Sequence, residues 1–494
     1  MPDSDSDVTS RLPASVEVAP GGPVEGVIRP PGSKSLTNRA LICAAFADGR
    51  SELTGALESE DTKVMIDALR SIGVVIAISD GGRTLVVDGQ GAVRQASVRQ
   101  ASVRQASGRA DDAGKMQELY VANSGTTVRF LAAALSAAGG QYRLSGVERM
   151  HQRPIGDLVD ALQAVTDGSI EAISPRGCPP VEIRCHGWKG KNLEVGGAVS
   201  SQYLSGLMMA APLVGQVGNN AGVDHDSSSV KRHSMEILVS GELVSRPYVD
   251  MTANVMRSFG ASLSLRDEGL PTGHSLVVDV EGGGYSATCY EIEPDASAAS
   301  YFWAAAAITG GKVTVEGLSR AAMQGDVGFC EVLQKMGCQI QHDGHSICVH
   351  GRPLKGVDVD MNEISDTVQT LAVVALFASS PTRVRGVAHN RFKETDRIGD
   401  LARELRKLTA HVEEHEDGLT IYPRDENQES FANRKVVLET YHDHRMAMSL
   451  SLAGLRIPGV RIMNPACTGK TYPEFFSDLE SLIGRPHQWL ASEG

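Results

Sequence analysis

Residues 31–40 read PGSKSLTNRA, and this stretch contains the helix start that decides the fold. Ser33, a residue able to cap a helix, is followed by Lys34 and then by an apolar run over 40–47. Comparable starts recur along the chain, at Ser33, Asn123, Ser200, Asp295, Asp366 and Asp443. The steps between them, 71 to 95 residues, exceed the roughly 20 to 50 residues of a solenoid repeat. The pattern therefore predicts six similar α/β units.

Each unit also shows the pattern of a second helix or of short strands. Helical periods occupy 61–72, 155–165 and 398–408, and β-rich runs occupy 84–87, 275–280 and 346–349. His342 and His345 flank Asp343-Gly344, which predicts a hairpin turn. Three units per lobe is the simplest partition, and the longest step, 200–295, is expected to contain the crossover between two lobes.

Two segments are predicted to be additions to these units. Residues 93–107 repeat Val-Arg-Gln-Ala-Ser three times, with too few apolar positions to bury, which predicts a solvent loop or a short exposed helix. Residues 216–231 contain Asn219-Asn220 and Ser227-Ser228-Ser229, which predicts an inserted surface loop.

Length and composition narrow the class of protein. A chain of 494 residues predicts two large lobes or three smaller domains, and its 60 acidic against 47 basic residues, without basic or aromatic stripes, argue against a nucleic-acid partner. No apolar run reaches the roughly 18 residues that a membrane helix needs. The acidic N-terminal stretch argues against a signal or transit peptide, so a cytoplasmic location is expected.

The cysteines and histidines do not predict a metal site. The eight cysteines have neither a Cys-x-x-Cys motif nor paired ligand spacing, so reduced thiols are expected rather than a zinc ribbon or a disulfide framework. His442-Asp443-His444-Arg445 has no further motif at metal spacing, and no metal ligand is predicted there.

The cationic motifs of this acidic chain predict a local anion site. Gly32-Ser33-Lys34-Ser35 lacks the glycine spacing of a nucleotide P-loop, but unpaired N–H groups and the helix dipole favour an anion at a helix start. Lys34, Ser35 and Arg39 would complete that site, with Ser35 and Arg39 on one helix face. The alternative is an ordinary N-cap followed by two solvated cations.

Three further motifs fit anion binding. Gly125, in Asn123-Ser124-Gly125-Thr126, lets a ligand approach the backbone, although such a glycine is often only part of a turn. Ser200-Ser201-Gln202 offers two hydroxyls and an amide, with an ordinary cap as the alternative. Residues 393–397 are predicted to form the first turn of the helix at 398–408. The helix dipole disfavours cations at this position unless they have another partner, such as a bound anion. The alternative is an exposed salt-bridged turn.

Together, the motifs resemble those of the 5-enolpyruvylshikimate-3-phosphate synthase family, in the family's order. The resemblance runs from about residue 20 to about residue 483 and is carried by Lys34-Ser35-Leu36-Thr37-Asn38-Arg39, Asn123-Ser124-Gly125-Thr126, Gln152-Arg153-Pro154-Ile155, Ser200-Ser201-Gln202, Asp295-Ala296-Ser297, Lys393-Glu394-Thr395-Asp396-Arg397, Asp443-His444-Arg445 and Lys470.

The resemblance implies an α/β fold, an inside-out α/β barrel with two lobes of three similar units and an active site between them. The chain would cross between the lobes near Gly32 and near Pro294. Lobe one would then comprise residues 15–32 plus 294–494, and lobe two residues 33–293. A disordered tail is expected at 1–14, with insertions near 93–114 and 216–231.

The resemblance also implies the reaction. The enolpyruvyl group of phosphoenolpyruvate would be transferred to the 5-hydroxyl of shikimate 3-phosphate, with release of phosphate, in the shikimate pathway of aromatic amino acid biosynthesis. No metal or organic cofactor is expected, the partners would be these two small molecules, and a monomer is expected. The family is also the target of the herbicide glyphosate.

Matching motifs carry the family's site residues onto this chain. Shikimate 3-phosphate would be held by Lys34, Ser35, Arg39, Ser200, Ser201, Gln202, Ser245, Asp366 and Lys393. Phosphoenolpyruvate would be surrounded by Lys34, Gly125, Arg153, Gln202, Arg397, Arg445 and Lys470. Asp366 matches the carboxylate that takes the 5-hydroxyl proton, and Glu394 the one that acts on the methylene carbon. Lys34 and Lys393 would stabilise the changing charge.

Two positions depart from common family patterns. His389 stands where bacterial relatives often have asparagine, which puts that substrate contact in doubt, and Phe130 replaces a frequent proline.

Two alternative functions fit the sequence less well. The sister transferase acting on a UDP-amino sugar usually has a loop cysteine and a Lys-Asn opening, unlike Lys34-Ser35 here. A phosphate-binding scaffold without catalysis would not need Asp366 and Glu394.

Overall fold

The structure is a computed structural model that describes seven stretches of the chain. They are residues 13–91, 116–197, 200–214, 234–268, 273–408, 411–424 and 435–491. The repeat at 93–107, the loop at 216–231 and the tail at 1–14, apart from its last two residues, lie outside the described residues.

The structure describes twelve α-helices within these stretches. In chain order they are α1 (Lys34–Ala45), α2 (Glu60–Ser71), α3 (Gly125–Ala138), α4 (Gly156–Val165), α5 (Ser201–Ala210), α6 (Arg246–Ser258), α7 (Ala296–Thr309), α8 (Phe329–Met336), α9 (Val368–Ala375), α10 (Gly399–Lys407), α11 (His444–Gly454) and α12 (Phe475–Ile483). The second helices predicted at 61–72, 155–165 and 398–408 are confirmed as α2, α4 and α10.

The strands are short. In chain order they are β1 (Ser15–Glu17), β2 (Glu25–Ile28), β3 (Ala47–Thr54), β4 (Val75–Ser79), β5 (Thr84–Gln90), β6 (Gln117–Tyr120), β7 (Gly140–Ser145), β8 (Thr166–Ser174), β9 (Cys178–Trp188), β10 (Asn192–Gly196), β11 (Ser234–Ser240), β12 (Leu263–Asp267), β13 (His274–Glu281), β14 (Tyr285–Ser286), β15 (Cys289–Glu291), β16 (Lys312–Glu316), β17 (Gln339–His342), β18 (Ser346–His350), β19 (Asp358–Asp360), β20 (Thr382–Arg385), β21 (Val412–His415), β22 (Gly418–Ile421), β23 (Val436–Leu438), β24 (Val460–Met463) and β25 (Gln488–Leu490). The runs predicted at 84–87, 275–280 and 346–349 fall within β5, β13 and β18, and β17 and β18 form the predicted hairpin.

The six sheets share one plan, in which a parallel pair of strands is followed by two antiparallel pairings. In lobe two the strand orders are β14-β3-β5-β4, with β15 also paired to β3, β6-β7-β9-β8 and β10-β11-β13-β12. In lobe one they are β17-β18-β16-β2, β19-β20-β22-β21 and β23-β24-β1-β25. The prediction of six similar α/β units, three in each lobe, is confirmed.

The buried apolar side chains form two separate clusters, one in each lobe. One cluster of buried side chains extends from Leu36 to Ile292, and a second combines the segment from Val16 to Val24 with side chains between Ala296 and Leu479. Apolar residues at helical spacing face these two cores, so each lobe is stabilised by its own burial.

The two cores are connected where Gly32 and Pro294 form an antiparallel bridge. Ser33 N donates to Glu293 O (2.8 Å), and Asp295 N donates to Pro31 O (2.8 Å). A Cβ at residue 32 would lie 1.8 Å from Gly55 O, so only glycine fits this close backbone approach.

Five of the six predicted helix starts have a side-chain cap. The side chains of Ser33, Ser124, Ser200, Asp295 and Asp443 each accept a hydrogen bond from a backbone N–H in the first turn. The sixth start differs, because Asp366 lies in a 3₁₀ helix, Asn362–Thr367, and α9 begins at Val368.

The prediction that 393–397 forms the first turn of a helix is wrong, because α10 begins only at Gly399. Asp396 Oδ1 accepts hydrogen bonds from Ile398 N (3.1 Å) and Gly399 N (3.0 Å), which satisfies the first free N–H groups locally. Residues 393–397 therefore form a turn before the helix. Arg397 is only 2% exposed, so this turn is not a solvated charge cluster either.

Two further observations concern the chain as a whole. All eight cysteines lie in the described residues as free thiols, and six of them are buried. None of the helices within the described ranges is long and apolar enough to cross a membrane.

Candidate active site

The crossover places Lys34 at the junction of the lobes. As the first residue of α1, Lys34 donates its backbone N–H to Asp295 Oδ2 (3.2 Å), the carboxylate that also caps α7. Its Nζ lies 3.6 Å from Asp61 Oδ2 in the first turn of α2. The charge of Lys34 also contributes to lowering the pKa of Asp366.

One buried guanidinium joins the two predicted catalytic carboxylates. Arg397 Nη1 donates to Asp366 Oδ1 (3.3 Å), and Nη2 donates to Glu394 Oε2 (2.7 Å). Its remaining edge forms a two-point ion pair with buried Asp443, through Nε (2.7 Å) and Nη2 (3.3 Å). Burial lowers the pKa of Arg397, but Asp443, Glu394 and Asp366 outweigh it and raise the pKa, so this residue stays cationic.

Glu394 lies at the meeting point of cations from both lobes. Its Oε1 accepts from Lys470 Nζ at 2.9 Å and lies 3.8 Å from Arg153 Nη2. Burial raises the pKa of Glu394, but Lys470, Arg397 and Arg153 outweigh it and bring the pKa well below its usual value. A cavity of about 830 Å³ opens beside Glu394 and Lys470.

Asp366 has its own arginine partner. Arg445 donates to Asp366 through Nη2 to Oδ2 (2.6 Å) and through Nη1 to the backbone oxygen (3.2 Å). Burial raises the pKa of Asp366, but Arg445, Lys393, Arg397 and Lys34 together lower it further than burial raises it. Asp366 is therefore ionised, as a proton acceptor must be.

Lys393 and His389 add two groups with strongly shifted pKa values. Burial lowers the pKa of Lys393 to about 8, against the opposing effect of Asp366. Burial, with help from Lys393, lowers the pKa of His389 to about 3, so the imidazole is neutral at pH 7. His389 is 5% exposed, and its Nε2 has no hydrogen-bond partner among the described residues.

Gly125 leaves room for two guanidinium groups. A Cβ at this position would lie 2.6 Å from Arg153 Nη2 and 2.8 Å from Arg129 Nη1. Arg153 is fixed by Asn123 O (2.9 Å), and Arg129 Nη1 donates to Gln202 Oε1 (2.6 Å). Thus Gly125, Arg153 and Gln202, all predicted to contact phosphoenolpyruvate, are connected in lobe two.

Arg39 lies deeper than the other predicted cations. It is 1% exposed, and it donates to Thr252 Oγ1 (2.7 Å), Ser205 Oγ (3.1 Å) and Ser35 O (3.0 Å). Burial lowers its pKa to about 10. The contact with Ser35 O connects Arg39 to the start of α1.

The remaining predicted residues are serines at helix starts. Ser200 Oγ accepts from Gln202 N (3.3 Å), and Ser201 is buried in the first turn of α5. Ser245 precedes α6 with φ 57°, and its N–H donates to Asn362 Oδ1 (2.8 Å) in the other lobe. Ser245 Oγ also lies 3.4 Å from Ser365 Oγ, next to Asp366.

Three residues that the prediction left out also lie at the site. Arg129 holds Gln202, Tyr248 Oη donates to Asp366 Oδ2 (3.0 Å), and Arg149 donates to Glu394 O (3.1 Å) and Lys393 O (3.3 Å). Proline in Ser245-Arg246-Pro247 indicates the start of a helix, but no local signal shows that Tyr248 contacts Asp366. Arg149 has no comparable local signal.

The described residues contain no group of three His, Cys, Asp or Glu side chains able to hold a metal ion. In the motif at 442–445, His442 Nδ1 lies 2.8 Å from Asn464 Nδ2, and His444 is buried beside Asp443.

Comparisons with known proteins identify the family. A family model described as EPSP synthase (3-phosphoshikimate 1-carboxyvinyltransferase) matches residues 18–479. A 3-phosphoshikimate 1-carboxyvinyltransferase from Colwellia psychrerythraea is 40% identical over 460 residues, which covers 93% of this chain and 97% of the relative.

Solved structures show the same fold. An EPSP synthase from Acinetobacter baumannii superposes with a TM-score of 0.71 at 25% identity, covering 96% of this chain and 99% of that one. The enolpyruvyl transferase NikO from Streptomyces tendae, at 18% identity, covers 96% of this chain and 98% of its own, with a TM-score of 0.66. From the match over 18–479 and the 40% identity to its relative, we conclude that the chain belongs to the EPSP synthase (3-phosphoshikimate 1-carboxyvinyltransferase) family.

Proposed function

We propose that this protein transfers the enolpyruvyl group of phosphoenolpyruvate to the 5-hydroxyl of shikimate 3-phosphate and releases phosphate. The observation that carries the proposal is the pair of buried carboxylates, Asp366 and Glu394, joined by Arg397 and surrounded by cations from both lobes. The substrates bring two phosphates and two carboxylates together, which requires several fixed cations. Asp366 and Glu394 would supply the proton transfers.

The substrate contacts divide into two sets. We propose that shikimate 3-phosphate is bound by Lys34, Ser35, Arg39, Ser200, Ser201, Gln202, Ser245, Asp366 and Lys393. For phosphoenolpyruvate we propose Lys34, Gly125, Arg153, Gln202, Arg397, Arg445 and Lys470. Support comes from the two-lobe grouping around Glu394 and from the start of α5, where the hydroxyls and N–H groups of Ser200, Ser201 and Gln202 suit phosphate oxygens.

Asp366 is proposed to be the base for the 5-hydroxyl. Arg445 and Arg397 keep it ionised and orient both oxygens, so it is ready to accept a proton as the hydroxyl adds to the vinyl carbon. Lys34 and Lys393 would stabilise the charge that develops during this step.

Glu394 is proposed to exchange a proton with the methylene carbon. Its pKa is held down by Lys470, Arg397 and Arg153, three groups that are also proposed to bind phosphoenolpyruvate. When the anionic groups of the substrate bind to these three cations, the cations stabilise the Glu394 carboxylate less, and the pKa of Glu394 rises. Substrate binding would thus turn an ionised carboxylate into an acid.

The remaining assignments stay proposals from the sequence. The lobe boundaries at 32 and 294 are supported by the Gly32–Pro294 bridge and by the two apolar clusters. We propose a cytoplasmic monomer that acts on small molecules, without a metal or organic cofactor and without nucleic acid.

A coupled assay tests the proposed function. The purified chain should release phosphate only when both substrates are present, and mass spectrometry should detect the enolpyruvyl product. A UDP-amino sugar replacing shikimate 3-phosphate should give no release. Release with that sugar would favour the sister transferase, and binding of both substrates without any release would favour a scaffold.

A further inference from the structure

Tyr248 links two acidic side chains across the lobes. From α6 in lobe two, its hydroxyl oxygen lies 3.0 Å from Asp366 Oδ2 and 3.1 Å from Asp326 Oδ2, both in lobe one. A phenol has a single hydrogen to donate. If both acids were ionised, the phenol oxygen would face one carboxylate oxygen at hydrogen-bond distance with no hydrogen between them.

The surroundings show which acid carries the missing hydrogen. Asp366 has Arg445 at 2.6 Å and Arg397 at 3.3 Å, whereas no Lys, Arg or His in the described stretches lies within ion-pair distance of Asp326. Asp326 is 4% exposed, its Oδ1 has no partner among the described residues, and its Oδ2 is approached by the hydroxyls of Ser297 and Tyr248.

A buried carboxylate with one unpartnered oxygen is costly when ionised and much less so when neutral. Burial, followed by Asp366, raises the pKa of Asp326 to about 7, while the Ser297 hydrogen bond and Arg445 lower it and Asp295 raises it. The charges around the two acids thus favour a proton on Asp326 and ionisation of Asp366.

We propose that Asp326 is a positioning residue: as a neutral acid it donates to the Tyr248 oxygen, which commits the Tyr248 hydrogen to Asp366. The resulting chain runs from Asp326 O–H to Tyr248 and from Tyr248 O–H to Asp366. It holds the base of the proposed reaction in place through a link between the lobes. This role rests on the proposed function, but the protonation of Asp326 does not.

The hydrogen-bonded link from Asp326 through Tyr248 to Asp366 should weaken as pH rises. Above about pH 7 Asp326 loses its proton, a second negative charge faces Asp366, and the single Tyr248 hydrogen is contested between them. Productive closure then becomes less favourable, so kcat/KM for shikimate 3-phosphate should fall. Lys393, whose pKa is about 8, adds a second loss at higher pH that is independent of Asp326.

Infrared difference spectroscopy of the intact protein tests the proton directly. Between about pH 6 and about pH 8, wild type should lose the carbonyl band of a buried protonated carboxylic acid, because one pH unit on either side of the pKa changes the ratio about tenfold. The variant Asp326→Asn should lack that band. No such band in wild type, or the same band in Asp326→Asn, would overturn the proposal, whether or not the protein has the proposed activity.

Kinetics test the positioning role. Asp326→Asn keeps the shape and a neutral donor, so at about pH 6 it should retain kcat within about threefold, and the loss of kcat/KM near pH 7 should disappear while the Lys393 loss remains. Asp478→Asn is the matched control, because Asp478 accepts from Tyr472 Oη (2.5 Å) away from the carboxylate pair, and its pH profile should match wild type.

A second variant keeps the test decisive if Asp326→Asn does not fold. Tyr248→Phe removes the shared hydroxyl, so it should lower kcat and also lose the dependence near pH 7. An unchanged pH profile in Asp326→Asn, or in Tyr248→Phe, would show that Asp326 does not act through Tyr248.

Discussion

Arg397 divides its guanidinium group between a fixed partner and two reactive ones. The edge toward Asp443, a residue with no exposed surface, is a two-point ion pair that holds the side chain in one orientation. Nη1 reaches Asp366, and Nη2, which also contacts Asp443, reaches Glu394. One cation can therefore stabilise negative charge at either carboxylate as protons move.

The variant Asp366→Asn tests the base. The amide preserves the shape of the side chain and can still accept from Arg445, so the affinity for shikimate 3-phosphate should stay close to wild type. Turnover should fall by about a hundredfold or more, as expected for loss of a positioned base. Calorimetry and steady-state turnover measure the two quantities. Near-normal turnover would remove Asp366 from this role.

Lys393 predicts a pH dependence of binding. Its pKa is lowered to about 8, so it is charged below that pH and neutral above it. Affinity for shikimate 3-phosphate should therefore weaken as pH rises through about 8, and Lys393→Arg, which stays charged, should show a flat profile over the same range. Titration calorimetry gives both profiles. A wild-type affinity that does not change between about pH 7 and about pH 9 would contradict the prediction.

Gly125 predicts a difference between two ligands. A methyl group there would lie 2.6 Å from Arg153 Nη2 and 2.8 Å from Arg129 Nη1, so these side chains must shift and substrate binding should also weaken somewhat. Glyphosate is longer than phosphoenolpyruvate, so steric exclusion should affect it more. We expect competitive inhibition of wild type, and we expect Gly125→Ala to raise the inhibition constant by a larger factor than the Michaelis constant. Equal factors, or a wild type indifferent to glyphosate, would show that Gly125 does not line the shared pocket.

Helix α2 shows how an ordinary cap can support the site. Ser59 and Thr62 form a reciprocal capping box, and the first turn that they close contains Asp61, the ion-pair partner of Lys34. Order at the start of this helix therefore determines where the Lys34 ammonium can be held.

Ser59→Ala should reduce the free energy of unfolding by about 1 kcal/mol, the usual cost of losing a serine cap. Turnover should change little, because Asp61 and Lys34 are retained. Urea denaturation measures the loss, and Ser71→Ala, at the opposite end of the same helix, serves as the control. A loss no larger than that of the control would mean that the cap contributes nothing.

Local signals in the sequence predicted most of the described helices, but few of the strands. A cap needs only one side chain and the next turn, so Ser33, Asp295 and Asp443 could be recognised from the sequence alone, whereas the cap predicted at Asn123 is its neighbour Ser124. The helix begins later than residues 393–397 because the Asp396 side chain accepts hydrogen bonds from the N–H groups of Ile398 and Gly399. The periodicity of apolar residues does not reveal such a local hydrogen bond. The resemblance to a family then assigned roles that a local pattern could not.

Contacts between distant residues could not be predicted in this way. Arg149 meets the backbone at Glu394 across 245 positions of sequence, and Tyr248 meets Asp366 across 118. The protonation of Asp326 depends equally on the burial and charge that the folded chain provides. These features arise only when the two lobes come together.

Polar groups connect the lobes at several points. The contacts include Ser245 N to Asn362 Oδ1 (2.8 Å), Lys470 Nζ to Asn123 O (3.1 Å) and the two hydrogen bonds of Arg149 to the backbone at 393–394. Their apolar cores form separate clusters. Relative motion of the lobes is the usual expectation when two lobes have separate apolar cores and polar contacts between them.

We therefore expect the lobes to close on their ligands. Cations from both lobes converge at Glu394, so substrate anions that bind among them should draw the lobes together. Small-angle scattering should show a smaller radius of gyration with both ligands than without them. In Arg149→Ala, which lacks the two hydrogen bonds to 393–394, compaction should require a higher ligand concentration. Arg257→Ala, whose contacts stay within lobe two, should behave like wild type. An unchanged radius under saturating ligand would contradict closure, and identical titrations for Arg149→Ala and Arg257→Ala would exclude Arg149 as part of the closed contact.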